Sequence, residues 1–124
     1  MKTRVLIVDD EKDFLAVIAE RMRARGMEVT ATTSAEDALE RVEQRSYDVV
    51  IMDLMMPALD GFTALKRMKA ERPRMQIILL TADVSDEKRI EARALGALDM
   101  IEKPPDLQDL IQKIKKAKEA QGRV

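Results

Sequence analysis

The sequence predicts an α/β fold in which five parallel strands alternate with five helices. Residues 5–8, 49–52 and 77–80 are continuously apolar and rich in branched side chains. Short runs in which every residue is apolar are typical of strands buried on both faces, as in the middle of a parallel sheet. Helical patterns fill the gaps between them, and this alternation predicts right-handed crossovers with helices on both faces of the sheet.

Two further segments are predicted to be strands at the edges of this sheet. Residues 28–32 and 98–102 alternate polar and apolar side chains. Such alternation is typical of strands with one wetter side. The sequence therefore places these strands, the second and the fifth, outside the three apolar ones.

The helices between the strands are predicted from apolar spacing and capping residues. Apolar side chains recur at helical spacing in the first and last helices, at Phe14, Val17, Ile18 and Met22 and at Leu107, Leu110, Ile111 and Ile114. Helices are also predicted over residues 35–44, 62–71 and 86–95. Candidate N-caps are Asp10, Ser34 and Asp106, and Gly26 and Gly96 stand where helices should end.

Length and composition limit the chemistry of this chain. Its 124 residues predict one domain spanning 1–124. The absence of Cys excludes disulfides and thiolate metal sites, and the absence of His removes the commonest general base. With 22 basic and 23 acidic residues, the net charge of −1 argues against binding nucleic acid by bulk charge. Any chemistry must use carboxylates, Lys, hydroxyls, backbone groups or a hard cation.

Targeting and membrane signals are not found in this sequence. The longest apolar runs are far too short to span a bilayer, and the first residues lack the apolar region of a signal peptide. We therefore expect a cytoplasmic location and no membrane partner.

Polar side chains follow four of the predicted strands. Asp9, Asp10 and Glu11 follow the first, Asp53 the third, Thr81 the fourth and Lys103 the fifth. Each has an ordinary alternative: Asp10 or Thr81 may cap a helix, and Asp53 or Lys103 may be solvated. In open parallel sheets, however, ligands bind at the carboxyl ends of the strands. The coincidence of these side chains at one edge predicts the site.

The side chains at this edge suit phosphoryl chemistry. Close carboxylates repel one another unless a cation intervenes, and Mg²⁺ accepts carboxylate, water and phosphate oxygens. A carboxylate beside Mg²⁺ can attack phosphorus and form an acyl phosphate. Lys103 could neutralise a phosphoryl oxygen, and Thr81 could donate a hydrogen bond.

At these residues the chain resembles the receiver domain of two-component response regulators, and the resemblance covers essentially all of it. The matching stretches are residues 5–11, 49–57, 60–61, 81–82, 96–97 and 103–104. The resemblance implies a flavodoxin-like (βα)5 doubly wound sandwich with strand order 2-1-3-4-5. It also implies a phosphoacceptor that catalyses only its own phosphorylation and dephosphorylation.

The resemblance implies a role for each site residue. Asp53 would accept the phosphoryl group, while Thr81 and Lys103 would hold phosphoryl oxygens. Mg²⁺ would be bound by Asp10, Asp53 and the backbone carbonyl of Met55, with Asp9 acting mainly through water. The Lys103–Pro104 bond would be cis, as is usual in the family.

Some positions depart from the family pattern or vary within it. Met100 stands where the family usually has Tyr or Phe, so we expect a shift of Thr81 to couple to a Met rotamer or to the loop after the fourth strand. Pro105 stands where Phe is common. Of the two positions that should set the phosphate lifetime, Met55 cannot activate water. Asp83 could orient a water molecule or could cap the following helix.

Other functions remain as alternatives. A pseudo-receiver would have the same fold without phosphorylation. A Mg²⁺-dependent phosphohydrolase needs a second Asp where Met55 stands, and a flavin carrier needs a Gly- and hydroxyl-rich loop where Asp9, Asp10 and Glu11 stand. The chain could also be a receiver domain excised from a hybrid kinase or transcription regulator, because no output domain follows the last helix.

The resemblance also implies partners. A sensor histidine kinase or phosphotransfer protein would donate the phosphoryl group in a two-component system or phosphorelay. A target protein or a second copy of the chain would bind the face formed by the fourth helix, fifth strand and fifth helix. Direct contact with nucleic acid is not expected.

Overall fold

The computed structural model describes residues 2–122, where five strands alternate with five helices. The strands are β1 Arg4–Val8, β2 Glu28–Thr32, β3 Val49–Asp53, β4 Gln76–Thr81 and β5 Asp99–Glu102. The helices are α1 Lys12–Ala24, α2 Ala35–Gln44, α3 Gly61–Glu71, α4 Asp86–Ala94 and α5 Leu107–Gly122. All paired strands are parallel, in the order β2-β1-β3-β4-β5. The predicted fold class, strand order and edge strands are confirmed.

Each apolar strand contributes to two cores because its successive side chains point to opposite faces of the sheet. In β1, Val5 and Ile7 pack with α1 and α5, whereas Leu6 and Val8 pack with α2, α3 and α4. The same alternation continues through β3 and β4. The continuous apolar runs in the sequence therefore reflect a sheet covered by helices on both sides, as predicted.

The first helix differs in one respect from its predicted apolar stripe. Ile18 and Met22 are buried and Phe14 is partly buried, but Val17 is exposed. Leu15 occupies the buried position instead. The face of α1 that packs on the sheet therefore contains Leu15, Ile18 and Met22, and Val17 lies beside this face.

Capping was predicted correctly for two of three helices. The Ser34 hydroxyl accepts a hydrogen bond from Asp37 N, and the Asp106 carboxylate accepts one from Asp109 N. The prediction that Asp10 is the N-cap of α1 is wrong. The residue before that helix is Glu11, and its side chain makes no capping hydrogen bond.

Two predicted helix ends are confirmed by backbone conformation. Gly26 and Gly96 have φ values of 85° and 102°. This left-handed region disfavours residues with a Cβ and is common just after helices. Both glycines therefore allow the chain to leave a helix and enter the next strand.

Gly61 is needed for a different reason, at the start of α3. A Cβ placed there would lie 2.6 Å from the backbone oxygen of Leu54. This contact brings the start of α3 against the segment that directly follows Asp53. The glycine thereby fixes the loop that leaves the end of β3.

Within residues 2–122, none of the helices combines the length and apolarity that crossing a bilayer would require.

Candidate functional site

The sheet register brings three carboxylates together at the carboxyl ends of β1 and β3. Val8 pairs with Met52, so Asp9 and Asp53 leave neighbouring strands at the same level. Asp9 and Asp53 are 0% and 6% exposed, while Asp10 faces solvent. One oxygen from each of the three carboxylates lies within 4.8 Å of the others. The acidic cluster predicted at this edge is therefore formed.

Lys103 lies among these carboxylates. Its Nζ is 2.7 Å from Asp9 Oδ2, 2.6 Å from Glu11 Oε1 and 3.3 Å from Asp53 Oδ2. The backbone N–H of Lys103 donates to Thr81 O at 2.9 Å. This hydrogen bond holds the backbone of Lys103 beside the end of β4. The Lys103–Pro104 bond is cis, as the resemblance implied.

Burial and charge act against each other at this site. Burial raises the pKa of Asp9 above its ordinary value, although Lys103 and the Glu11 N–H oppose that change. For Lys103, burial alone would lower the pKa, but contacts with Asp9, Glu11 and Asp53 raise it overall. Lys103 is therefore fully charged at neutral pH and offsets part of the carboxylate repulsion.

The cluster has the donor atoms that a hard divalent cation requires. Asp9 Oδ2 is buried and accepts no hydrogen bond of good geometry, although Lys103 contacts it as an ion pair. Mg²⁺ takes oxygen ligands, usually one or two carboxylates with water and phosphate oxygens. The three converging carboxylates supply such oxygens, so the residues fit Mg²⁺.

Backbone groups orient the two buried carboxylates. Asp9 Oδ1 accepts the N–H of Glu11 at 2.8 Å, and Asp53 Oδ1 accepts the N–H of Met55 at 3.0 Å. Each carboxylate thus bonds the backbone two residues further on, as short polar side chains commonly do in turns. Both carboxylates keep their Oδ2 atoms directed towards Lys103.

Thr81 ends β4 and is fully buried. Its hydroxyl accepts the N–H of Asp83 at 3.1 Å, which binds it to its own loop. The predicted capping alternatives for Thr81 and Asp83 are wrong, because the Ser85 hydroxyl caps α4 by accepting from Lys88 N at 3.2 Å. The Asp83 carboxylate instead contacts Lys88 Nζ at 2.9 Å.

Met100 occupies the place on β5 where the resemblance leads one to expect an aromatic residue. Its side chain is buried in the core formed with α2, α3 and α4. Its backbone oxygen accepts a hydrogen bond from Arg89 Nη1 at 3.1 Å. The first half of α4 is therefore linked directly to β5, the strand that Lys103 follows.

Sequence reasoning missed three contributors to this site. The sequence placed Glu11 at this edge of the sheet but predicted no partner for it, whereas in the structure its carboxylate accepts a hydrogen bond from Lys103 Nζ. Phe14 was predicted only as part of a helical stripe, yet its ring centre lies 4.6 Å from Lys103 Nζ. Lys88 carried no signal of its own, but a Ser N-cap three residues earlier places it in the first turn of α4, next to the β4–α4 loop.

Comparison with known proteins identifies the family. Residues 5–115 match the family described as the response regulator receiver domain. The chain belongs to this family. It is a receiver domain of the two-component response regulators, a type of signalling switch and not a classical enzyme.

Relatives and solved structures agree with this assignment. The chain is 35% identical over 113 residues to the transcriptional regulatory protein ZraR of Escherichia coli O157:H7, covering 91% of this chain and 26% of that protein. The chain therefore spans about a quarter of that relative.

The fold matches solved receiver domains over nearly its whole length. A CheY-like receiver domain protein from Methanospirillum hungatei JF-1 has a TM-score of 0.94 at 28% identity, covering 99% of this chain and 98% of that one. The beryllofluoride-activated NtrC4 receiver domain dimer has a TM-score of 0.90 at 25% identity, covering 95% and 98% of the two chains.

Proposed function

We propose that this receiver domain accepts a phosphoryl group on Asp53 and thereby changes the surface that it offers to partners. The observation that carries the proposal is the position of Asp53, a buried carboxylate at the end of β3 with Lys103 Nζ 3.3 Å from its Oδ2. A carboxylate held beside a fixed cation is placed to attack phosphorus. The cation then neutralises negative charge on the phosphoryl group that is transferred.

The reaction follows from the chemistry of these groups. A carboxylate oxygen of Asp53 bonds to the phosphorus of a phosphohistidine, the phosphorus–nitrogen bond breaks, and the partner's imidazole leaves. Lys103 exchanges its carboxylate contacts for a phosphoryl oxygen, and the Thr81 hydroxyl donates to another. The donor is a sensor histidine kinase or a phosphotransfer protein.

We assign the metal to the acidic cluster. Asp10, Asp53 and the Met55 carbonyl would hold Mg²⁺, with Asp9 acting mainly through water. Bound Mg²⁺ would neutralise charge that develops on the phosphoryl oxygens. Support comes from the buried Asp9 Oδ2, which pairs with the Lys103 ammonium but accepts no hydrogen bond of good geometry, and from the convergence of the three carboxylates.

The output face in this proposal is formed by α4, β5 and α5. It presents Ile90 of α4, which is 70% exposed, together with Leu98, which directly precedes β5 and is 37% exposed. Both side chains are apolar. A target protein or a second copy of the chain would bind there after phosphorylation. In this proposal residues 1–124 act as one receiver domain.

Acetyl phosphate with Mg²⁺ tests the central step. The wild-type chain should gain one phosphoryl mass that is stable in acid and labile in base, and Asp53→Asn should gain none. Omission of Mg²⁺, or addition of a chelator, should suppress the gain. A wild-type chain that gains no phosphoryl mass would support the pseudo-receiver alternative.

Beryllofluoride tests the proposed output. Size measurements and pull-downs with and without beryllofluoride and Mg²⁺ should detect a dimer or a captured partner only when both are present. Asp53→Asn supplies the matched control, because it removes the acceptor and leaves the proposed face intact. The same oligomeric state and the same captured proteins in every sample would contradict a phosphorylation-dependent output.

A further inference from the structure

We infer that Lys88 is a positioning residue that prolongs the acyl phosphate by holding the Asp83 carboxylate away from it. This inference deepens the proposed function and rests on it. The observation behind it is an ion pair at the rim of the site, between the first turn of α4 and the loop that follows Thr81.

Lys88 is well placed to hold Asp83. Its Nζ lies 2.9 Å from Asp83 Oδ2. Its own backbone N–H donates to the Ser85 hydroxyl at 3.2 Å, which fixes the root of the side chain at the start of α4. The Lys88 side chain is only 27% exposed, whereas that of Asp83 is 67% exposed. The ammonium is therefore the more constrained partner, and it determines where the carboxylate lies.

Lys88 also reaches the opposite side of the rim. Its Nζ is 4.0 Å from Met55 Sδ. Met55 N donates to Asp53 Oδ1, and Asp83 N donates to the Thr81 hydroxyl. The residues that flank Asp53 and Thr81 are thus both contacted by one cation. Lys88 joins the two loops between which water must approach the phosphoryl group.

Loss of the phosphoryl group requires water at that position. The water oxygen bonds to phosphorus, the phosphorus–oxygen bond to Asp53 breaks, and Asp53 leaves as a carboxylate. One water proton passes to a base and then to solvent, and inorganic phosphate departs. Asp83 can act as that base when its carboxylate turns towards the site. While Lys88 holds Oδ2, the carboxylate points towards α4 instead.

The ion pair contributes little to stability because both partners are in contact with water. Pairs of this kind are worth about 0–1 kcal/mol. Lys88→Met should therefore leave the melting temperature almost unchanged. Lys88→Met should change the lifetime of the acyl phosphate only when Asp83 is present. A double-mutant cycle of the two residues measures this dependence.

The experiment compares the wild type with Asp83→Ala, Lys88→Met and the double variant. Each is phosphorylated with acetyl phosphate and Mg²⁺, freed of the donor, and sampled for base-labile phosphoryl mass over time. We expect Lys88→Met to shorten the half-life severalfold, Asp83→Ala to lengthen it severalfold, and the double variant to match Asp83→Ala. Lys88→Arg should retain the wild-type half-life.

Lys66→Met on the exposed side of α3, outside the proposed output face, is the control for losing one positive charge, and it should not change the half-life. An unchanged or longer half-life in Lys88→Met would overturn the inference. Equal shortening by Lys88→Met with and without Asp83 would do so as well. If the wild type takes up no phosphoryl group, the proposed function itself is wrong.

Discussion

At the scale of single residues, Asp9 is the clearest case of an ionisable side chain whose burial reduces stability. It is fully buried, and burial raises the pKa of its carboxyl group. A raised pKa in the folded state means that ionisation of Asp9 opposes folding. Its favourable contribution is present below its ordinary pKa and is lost as pH rises through the native value.

Asp9→Asn should therefore stabilise the metal-free domain at neutral pH. The free energy of unfolding of the variant, measured by urea denaturation in a chelator, should exceed that of the wild type at pH 7. The gain should shrink as pH falls through the raised pKa of Asp9, because the wild-type carboxyl then becomes protonated. A variant less stable than the wild type at pH 7 would contradict this interpretation.

Met100 raises a second question at the residue scale, namely how the site signals to its surface without an aromatic side chain. Met is flexible and fills irregular spaces, so a sharp two-position switch is not expected. Crystals with and without beryllofluoride should show Thr81 displaced, together with a changed Met100 rotamer or a moved β4–α4 loop. Identical positions of Thr81 and Met100 in both crystals would rule this coupling out.

At the scale of elements, the chain from the end of β3 to the first residue of α3 contains two positions at which a Cβ is unfavourable. Ala58 has a φ of 75°, which is unfavourable for a residue with a Cβ. Gly61 lacks the space for a Cβ against the Leu54 oxygen. A Cβ is therefore unfavourable at both positions, so removing it from residue 58 and adding it to residue 61 should change the free energy of unfolding in opposite directions.

Ala58→Gly should stabilise the domain by up to about 1 kcal/mol, because glycine accepts the left-handed conformation. Gly61→Ala should destabilise it by about 1–3 kcal/mol, because the backbone near Asp53 must move. Denaturant unfolding of both variants checks the signs. Destabilisation by Ala58→Gly, or a neutral Gly61→Ala, would contradict this account of the loop.

The elements themselves could largely be predicted from the sequence. The apolar runs of β1, β3 and β4 face two cores, and only a central parallel strand requires that pattern. The acids after β1 and β3 could be located for the same reason, since strand ends share one edge. The N-cap of α1 could not be predicted, because residue type favours Asp10, whereas the turn in which Asp9 accepts the Glu11 N–H makes Glu11 the residue before the helix.

Contacts between side chains distant in sequence were beyond sequence reasoning. Glu11 and Lys103 are 92 residues apart and meet only because β5 is folded back beside the site. The pairing of Lys88 with Asp83 depends on where the β4–α4 loop turns, which Ser85 determines by capping α4. Residue types predicted which polar groups follow the strands, but the loops determine which of these groups are in contact.

At the scale of the whole molecule, one carboxylate ties three elements together. Asp99 on β5 contacts Lys113 of α5 at 2.6 Å and Arg89 of α4 at 3.9 Å. It also accepts the N–H of Met100 at 2.7 Å. Burial opposes ionisation, but the contacts with Lys113, Met100 N and Arg89 lower the pKa of Asp99 overall.

Asp99→Asn should therefore destabilise the domain by about 1–2 kcal/mol at neutral pH. A lowered native pKa gives stability that is present above the ordinary value of 3.8 and is lost as pH falls through the native value. The difference between wild type and variant, measured by denaturant unfolding, should be constant above pH 5 and shrink below pH 4. A difference that grows in acid would exclude the ion pairs as its cause.

The position of Lys103 among Asp9, Glu11 and Asp53 has a consequence for the life of the protein in a cell. The chain carries its own counterion, tethered to β5, so a newly made domain can fold before any divalent ion arrives. In the proposed function, Mg²⁺ would then take the place of the Lys103 ammonium beside these carboxylates. The amount of folded protein should thus be insensitive to magnesium supply, whereas its readiness to receive a signal should depend on it.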